Sequence, residues 1–512
     1  MDLADNSSRK PDCEQLDSSD HFFIRCLRAR MLSMRCPFLE IVSLRRSFPL
    51  TLSLLLGTCL TTWAEEPPPA KNVLFIMADD LNNHLGCYGH PIVKSPNIDR
   101  LAERGVMFDR AYCNYPVCNP SRTSLLSGRH ADRTGVVDNV TPPRMHQKEV
   151  VMLPEHFRNN GYIVRKVGKI FHTGPEYEDP RSWDIDICED KTAKSPPPEQ
   201  IFSKEGHVII LKAPDEETWD GRVATTAAEW LGELSRQQKP FFIAAGFRRP
   251  HTPYITPETY YRWYDPAGLQ PKFGPEEHLA GIPDVALTYT FKKQERFPKD
   301  LKGQLIMAAY YGSISFMDAQ LGRILEAMDR LKLWETTTVV FVSDHGYHLG
   351  EHGGLWHKMT LFEDSARVPL IVAAPEAKQH AVSNGIVELI DLYPTLCDLT
   401  GIPAPEGLQG KSFRKQLSDP TSPGKQAAMT VASRGKNHTA VLKLDPEVMG
   451  RSLRTERYRY TLWPDGSKEL YDYTTDPNEW KNLAGTAEFA EIEKEHDRDL
   501  REMVQAAGRP GK

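Results

Sequence analysis

Asn72-Val73-Leu74-Phe75-Ile76-Met77-Ala78-Asp79-Asp80 is the stretch on which the fold turns. Val73 to Ala78 is apolar without interruption, the pattern of a strand covered on both faces. The run then stops at two adjacent carboxylates. Three other stretches repeat the form. Tyr162-Ile163-Val164 leads to Gly168-Lys169-Ile170-Phe171-His172, and Phe241 to Ala245 runs out into Arg249-Pro250-His251. Thr338 to Val342 stops at Ser343-Asp344-His345-Gly346. In open sheets of parallel strands, ligands bind beyond the carboxyl ends. Ionisable residues at all of these ends place a polar site there.

Helical segments separate the strands. Asn97-Ile98-Asp99-Arg100-Leu101 starts a helix with Asn97 as its cap, and Gly105 can end it. Val151 to Asn160 reads as a helix closed by Gly161, and Leu305 to Leu331 keeps helical periodicity throughout. The alternation indicates an α/β domain with a largely parallel sheet. Asp179 to Glu216, rich in Pro and charge, reads as surface loops. From about Lys411 the grammar changes: Arg454 to Tyr460 and Glu469 to Tyr473 alternate around a Pro464-Asp465-Gly466 turn. That predicts a small antiparallel sheet at the C-terminus. At 512 residues the chain suits a large domain over 65–410 and a smaller α+β one over 411–512. Its net charge of -6 argues against a general nucleic-acid binder.

Arg45 and Arg46 precede an apolar run from Phe48 to Leu60, followed by Thr62-Trp63-Ala64 and Glu65. This is a basic n-region, an h-region too short for an ordinary span and a small-residue cleavage site. Residues 1–64 therefore read as a signal peptide behind an over-extended start, with Met31 or Met34 as the true first residue. The expectation is an exported chain, periplasmic or secreted, with no membrane span after cleavage. Cleavage leaves Cys87, Cys113, Cys118, Cys188 and Cys397, an odd number too widely spaced for a disulfide framework.

Cys118-Asn119-Pro120-Ser121-Arg122-Thr123-Ser124-Leu125-Leu126-Ser127-Gly128 is the most specific motif. With Asn119 as cap and Pro120 at the first position, Cys118 stands at a helix N-terminus. Backbone N–H groups favour an anion there, and Arg122 adds a positive charge. Cys-x-Pro-Ser-Arg followed by Gly128 resembles the signature of the formylglycine-dependent sulfatases, in which this cysteine becomes an aldehyde. The resemblance runs from about Asn72 to Leu483. It implies an alkaline-phosphatase-like large domain and a formylglycine-generating enzyme as partner during maturation.

Asp79 and Asp80 resemble the family's first pair of metal ligands, and Asp344 and His345 its second, with residue 118 beside them. Hard oxygen ligands favour Ca²⁺ or, less often, Mg²⁺. His345 stands where Asn is commoner, which is similar to the iduronate-2-sulfatase and choline-sulfatase branches. Gly-Lys-x-x-His at 168–172, Arg-Pro-His-Thr-Pro at 249–253, Gly350-Glu351-His352-Gly353 and Lys358 resemble segments of the former branch, as does the tail. Tyr347 departs from that branch, which has Trp. The implied mechanism has a hydroxyl of hydrated formylglycine attacking sulfur, with Asp344 as base. Lys169, Lys358 and Arg122 balance charge, His251 protonates the leaving alcohol, and His172 accepts the proton whose loss expels sulfate. The implied substrate is a sulfated carbohydrate of the uronate 2-O-sulfate type. The alternatives are another sulfatase (choline or aryl), a phosphonate monoester or phosphodiester hydrolase of the same superfamily, or an inactive exported glycan-binding protein.

Overall fold

The computed structural model describes residues 72–187, 207–287, 296–434 and 449–508. The signal-peptide segment and Cys188 lie outside these residues. The first strand, β1 (Asn72–Asp79), is the opening apolar run, and its side chains alternate between two cores. Leu74, Ile76 and Ala78 enter one apolar cluster, while Val73, Phe75 and Met77 enter the other. A strand with both faces buried needs helices on both sides, and it has them. Three further strands, β2 (Val106–Tyr112), β3 (Ile163–Gly168) and β4 (Ile185–Ile187), belong to the same sheet. Next come β5 (Val208–Leu211), β6 (Phe241–Pro250), β7 (Tyr254–Pro257) and β8 (Thr337–Ser343).

Strand β1 lies parallel between β6 and β8, with Val73 opposite both Phe242 and Thr338. Strand β3 flanks β6 in parallel, and β4 continues that side. The short ribbon of β9 (His348–Leu349) and β10 (Trp356–His357) stands off the sheet. On the far side, β11 (Arg367–Ala373) runs antiparallel between β8 and β2. Helices Trp219–Leu234 and Leu301–Leu331 supply one face, and Cys118–Ser127, Leu153–Asn159 and Leu392–Thr400 the other. The expected mixed α/β fold with a mostly parallel central sheet is what forms.

The C-terminal sheet is also present. Its strands are β12 (Ala427–Ser433), β13 (Met449–Thr455), β14 (Tyr458–Leu462) and β15 (Lys468–Asp472), antiparallel in that order. Helix Ala490–Ala507 shares their apolar cluster.

Several local expectations shift. The helix near Asn97 spans Pro96–Glu103 with Ser95 at its cap position, because Pro96 suits the first turn. Asn97 instead bonds to the buried Asp318 carboxylate. Asn119 does not cap its helix either: Val117 occupies that position, and the Asn119 amide donates to the carbonyls of Asp138 and Thr141. The alternating run Arg454 to Tyr460 is two strands, broken by a tight turn at Glu456-Arg457. Of the presumed loops at 179–216, Ile185–Ile187 joins the main sheet and Val208–Leu211 pairs with β7.

Candidate active site

The carboxyl ends of β1, β3, β6 and β8 converge on Cys118. Asp79 ends β1 and Asp80 follows it; side chains of consecutive strand residues point to opposite faces. Asp80 leaves the strand with φ 63°, breaking that alternation, so both carboxylates serve one site. Its carbonyl accepts from the Tyr310 hydroxyl at 2.8 Å and its amide donates to Asp344 Oδ1 at 3.2 Å. Lys169 follows β3 where that strand closes on β6. A Cβ at Gly246 would stand 2.1 Å from the Lys169 carbonyl oxygen, so the approach requires glycine.

Cys118 Sγ is buried at the first turn of its helix, with His345 Nε2 at 3.4 Å, Lys358 Nζ at 3.5 Å and Asp80 Oδ1 at 3.8 Å. Burial alone would raise its pKa. The Lys169 and Lys358 ammonium groups, with hydrogen bonds from His172 and His251, reverse that and hold the thiol well below its ordinary value. The place is built for a negatively charged group on residue 118.

Arg122, fully buried one turn on, ties the site together. Its Nε donates to Asp344 Oδ2 at 2.8 Å and its Nη2 to Asp79 Oδ1 at 3.0 Å. Its Nη1 donates to the carbonyls of Lys169 and Ile170. Lys169 Nζ reaches Asp79 Oδ2 and Lys358 Nζ reaches Asp80 Oδ1, each at 2.5 Å. Burial would raise the Asp79 pKa, but Lys169, His251 and Arg122 hold it far below the carboxylate range. Asp344 is the opposite case. Burial, reinforced by the nearby Asp79, pushes it up to about 6 against the pull of Arg122.

His345 Nδ1 bonds to the Gly346 carbonyl, leaving Nε2 for Asp80 and residue 118. Burial opposes its charge, but Asp344 outweighs this and lifts its pKa to about 9. His251 Nδ1 bonds to the Thr252 carbonyl, and its Nε2 lies 3.9 Å from Asp80 Oδ2. His172 Nδ1 is buried without a hydrogen-bond partner. Every site residue expected from sequence is thus present in one cluster.

Donor chemistry here suits a hard cation. Asp79, Asp80, Cys118 and His251 form one group of potential ligand atoms, and Cys118, Asp344 and His345 a second. Asp80 Oδ2 is buried and has no hydrogen-bond partner, an acceptor left open for a cation. Three carboxylates here face Arg122, Lys169, Lys358 and the protonated His345. A divalent cation would leave a surplus of positive charge for an anionic substrate and an ionised nucleophile.

A family model described as Sulfatase matches residues 71–402. The chain belongs to the sulfatase family. A second model, N-sulphoglucosamine sulphohydrolase, C-terminal, matches residues 350–506 of this sulfatase. It is 30% identical to iduronate 2-sulfatase of Homo sapiens over 84% of this chain and 94% of that one. Arylsulfatase K of Bos taurus is 28% identical, covering 85% and 82%. Among solved structures, the phosphonate monoester hydrolase of Agrobacterium radiobacter superposes with TM-score 0.72 at 24% identity, over 85% of this chain and 95% of that one. A protein solved with D-glucosamine-2-N,6-O-disulfate as its substrate gives 0.71 at 20%, covering 86% and 99%. The enzyme is a sulfuric ester hydrolase of alkaline-phosphatase-like fold.

Sequence reading missed several supporting residues. Ser121 donates its hydroxyl to the Asp344 carbonyl, and Tyr310 pins Asp80. Ser121 stood inside the quoted motif. Tyr310 lies in the long helix, where its apolar periodicity concealed the role.

Proposed function

We propose that this sulfatase removes sulfate from a sulfated glycan, most like a uronate 2-O-sulfate, using formylglycine made from Cys118 and a divalent cation, Ca²⁺ or Mg²⁺. The observation that carries the reading is Cys118 Sγ held by His345, Lys358 and Asp80, beside a buried Asp80 oxygen without a hydrogen-bond partner. Asp79, Asp80, Asp344, His345 and residue 118 would hold the cation, which when bound would supply positive charge for the sulfate oxygens and lower the pKa of a neighbouring hydroxyl.

The chain's own residues then have separate tasks. Asp344, held by Arg122 beside residue 118, takes the proton of the attacking hydroxyl. Arg122 fixes Asp344 through a bond to Nε, and Lys169 and Lys358 face the sulfate oxygens. His251, anchored through Nδ1, offers Nε2–H to the leaving oxygen. His172 accepts the proton released when sulfate departs. We read residues 65–410 as carrying this site and 411–512 as its support, in a chain exported by its N-terminal segment and matured by a formylglycine-generating enzyme.

Similarity over most of its length to iduronate 2-sulfatase supports the uronate reading, and a 2-O GAG sulfatase of 24% identity shares the fold at TM-score 0.67. The test is a panel of defined sulfated oligosaccharides scored for free sulfate, with an aryl phosphonate beside it. Release confined to 2-O-sulfated uronates supports the assignment. Faster turnover of the phosphonate, or release only from other positions, overturns it.

A further inference from the structure

Lys358 reaches the site from outside the central sheet, on a backbone that is unusual on both sides. His357 (φ 70°) and Met359 (φ 80°) both occupy the left-handed region. Non-glycine residues stay there only where the surroundings hold them. The β9–β10 ribbon pairs Trp356 with Leu349 and His357 with His348, too short a ladder to aim a long side chain.

Two other anchors supply what the ribbon lacks. The Met359 amide donates to the Pro116 carbonyl at 3.1 Å, two residues before Cys118. On the other side, His357 Nδ1 lies 2.6 Å from the Tyr347 hydroxyl, which lies 2.7 Å from the Tyr254 hydroxyl. Trp356 Nε1 donates to that last oxygen at 2.9 Å. The Tyr347 ring stacks on Tyr310 at 5.2 Å, and the Tyr310 hydroxyl holds the Asp80 carbonyl. The network thus closes on the residue whose carboxylate meets Lys358.

We propose that the Tyr254–Tyr347–His357 hydrogen-bonded chain is a positioning device that holds Lys358 against Asp80 and residue 118. The chain is uncharged: burial holds both phenols above their ordinary pKa and His357 well below its own. Removing the Tyr347 hydroxyl strands His357 Nδ1, and a stranded buried group loosens the strained turn that carries Lys358. The inference rests on the role given to Lys358 above.

The test compares Tyr347→Phe, Lys358→Ala and the double variant in the mature, metal-loaded full chain. An aryl sulfate and a sulfated disaccharide are the probes. Tyr347→Phe should lower kcat about tenfold with KM within about twofold, since positioning acts on the chemical step. The double variant should fall no more than about twofold below Lys358→Ala, because the hydroxyl acts through that lysine. His357→Asn keeps an acceptor and tolerates the left-handed backbone, so it should stay within about threefold of the parent while His357→Ala falls with Tyr347→Phe. That histidine pair carries the test should the Phe variant not fold. A normal kcat in Tyr347→Phe, or independent multiplying losses in the double variant, overturns the positioning role. Normal turnover in Lys358→Ala would instead remove the role of the lysine, and the inference with it.

Discussion

Arg122→Ala is the perturbation whose consequences the structure specifies most fully. The guanidinium is wholly buried and spans two carboxylates and two carbonyls. Its loss does not affect the partners equally. Asp79 keeps Lys169 at 2.5 Å. Among the described residues, Asp344 keeps hydrogen bonds from the Asp80 and His345 amides and the flank of His345 at 3.7 Å. Asp344 is therefore the group left under-compensated, charged at pH values above its raised pKa and protonated below it. Breaking a buried pair from one side costs about 3–5 kcal/mol. Because Asp344 is already raised to about 6, loss of its nearest cation moves it further up.

The expected result is a metal-free Arg122→Ala protein about 3–5 kcal/mol less stable than its metal-free parent in urea unfolding. Added Ca²⁺ should narrow that gap, since its charge also neutralises Asp344. Arg122→Lys should fall between the two: it keeps a charge but lacks the planar fork that reaches four acceptors. Catalysis should drop by about 10³-fold in the Ala variant, equivalent to about 4 kcal/mol of transition-state stabilisation. If the chelated Ala variant unfolds within about 1 kcal/mol of the parent, the electrostatic account of the site is refuted, since that is the range of an ordinary substitution.

The remaining predictions concern maturation, metal and proton transfer. The tryptic peptide of residues 111–122 should be about 18 Da lighter than its cysteine form, whereas ordinary thiol oxidation adds mass; unmodified peptide in fully active enzyme contradicts the nucleophile. Asp344 has a folded pKa near 6, above its unfolded value of 3.8, so the metal-free fold loses stability from this group as pH rises from about 4 to 6. Ca²⁺ competes for the same carboxylate, so its affinity, measured by calorimetry, should rise with pH through about 6; a flat profile contradicts this. His251→Ala should slow sugar sulfates far more than an activated aryl sulfate, which needs little protonation. His172→Ala should give a burst of alcohol, then a stall with one added sulfate on residues 111–122 by mass; equal loss on both substrates without a burst reverses these assignments.

The central sheet was legible because its strands are buried on both faces, which makes hydrophobicity continuous and strand ends abrupt. Part of the candidate site was legible for the same reason: Asp79, Asp80, Lys169, His172, His251, Asp344 and His345 stand just past strand-like runs. Cys118, Arg122 and Lys358 stood out instead through their resemblance to family motifs. Helix starts were less so. At Asn97 and Asn119 a good capping residue stood near the right place, but buried acceptors, the Asp318 carboxylate and the carbonyls of Asp138 and Thr141, took its side chain. Residues 454–460 kept the alternation of a single strand while turning at Glu456-Arg457, because the side-chain pattern carries no record of a tight turn between polar residues. The Tyr254–Tyr347–His357 network escaped because Tyr254 lies far from the other two in sequence and the fold alone joins them.

Backbone conformation accounts for a feature that residue identity alone does not: how so many charges share one small volume. Asp80, His357 and Met359 are non-glycine residues with positive φ, and all adjoin the surroundings of Cys118. An extended Asp80 would turn its carboxylate from that of Asp79, and extended neighbours would carry Lys358 along a strand rather than into the centre. Each left-handed residue costs about 1–3 kcal/mol and persists only because neighbours overdetermine it. Those neighbours are identifiable: the Tyr310 hydroxyl on the Asp80 carbonyl, the Pro116 carbonyl on the Met359 amide, and Tyr347 on His357. Two of the three belong to one stacked pair of tyrosines, so a single pair steadies both Asp80 and the turn that carries Lys358.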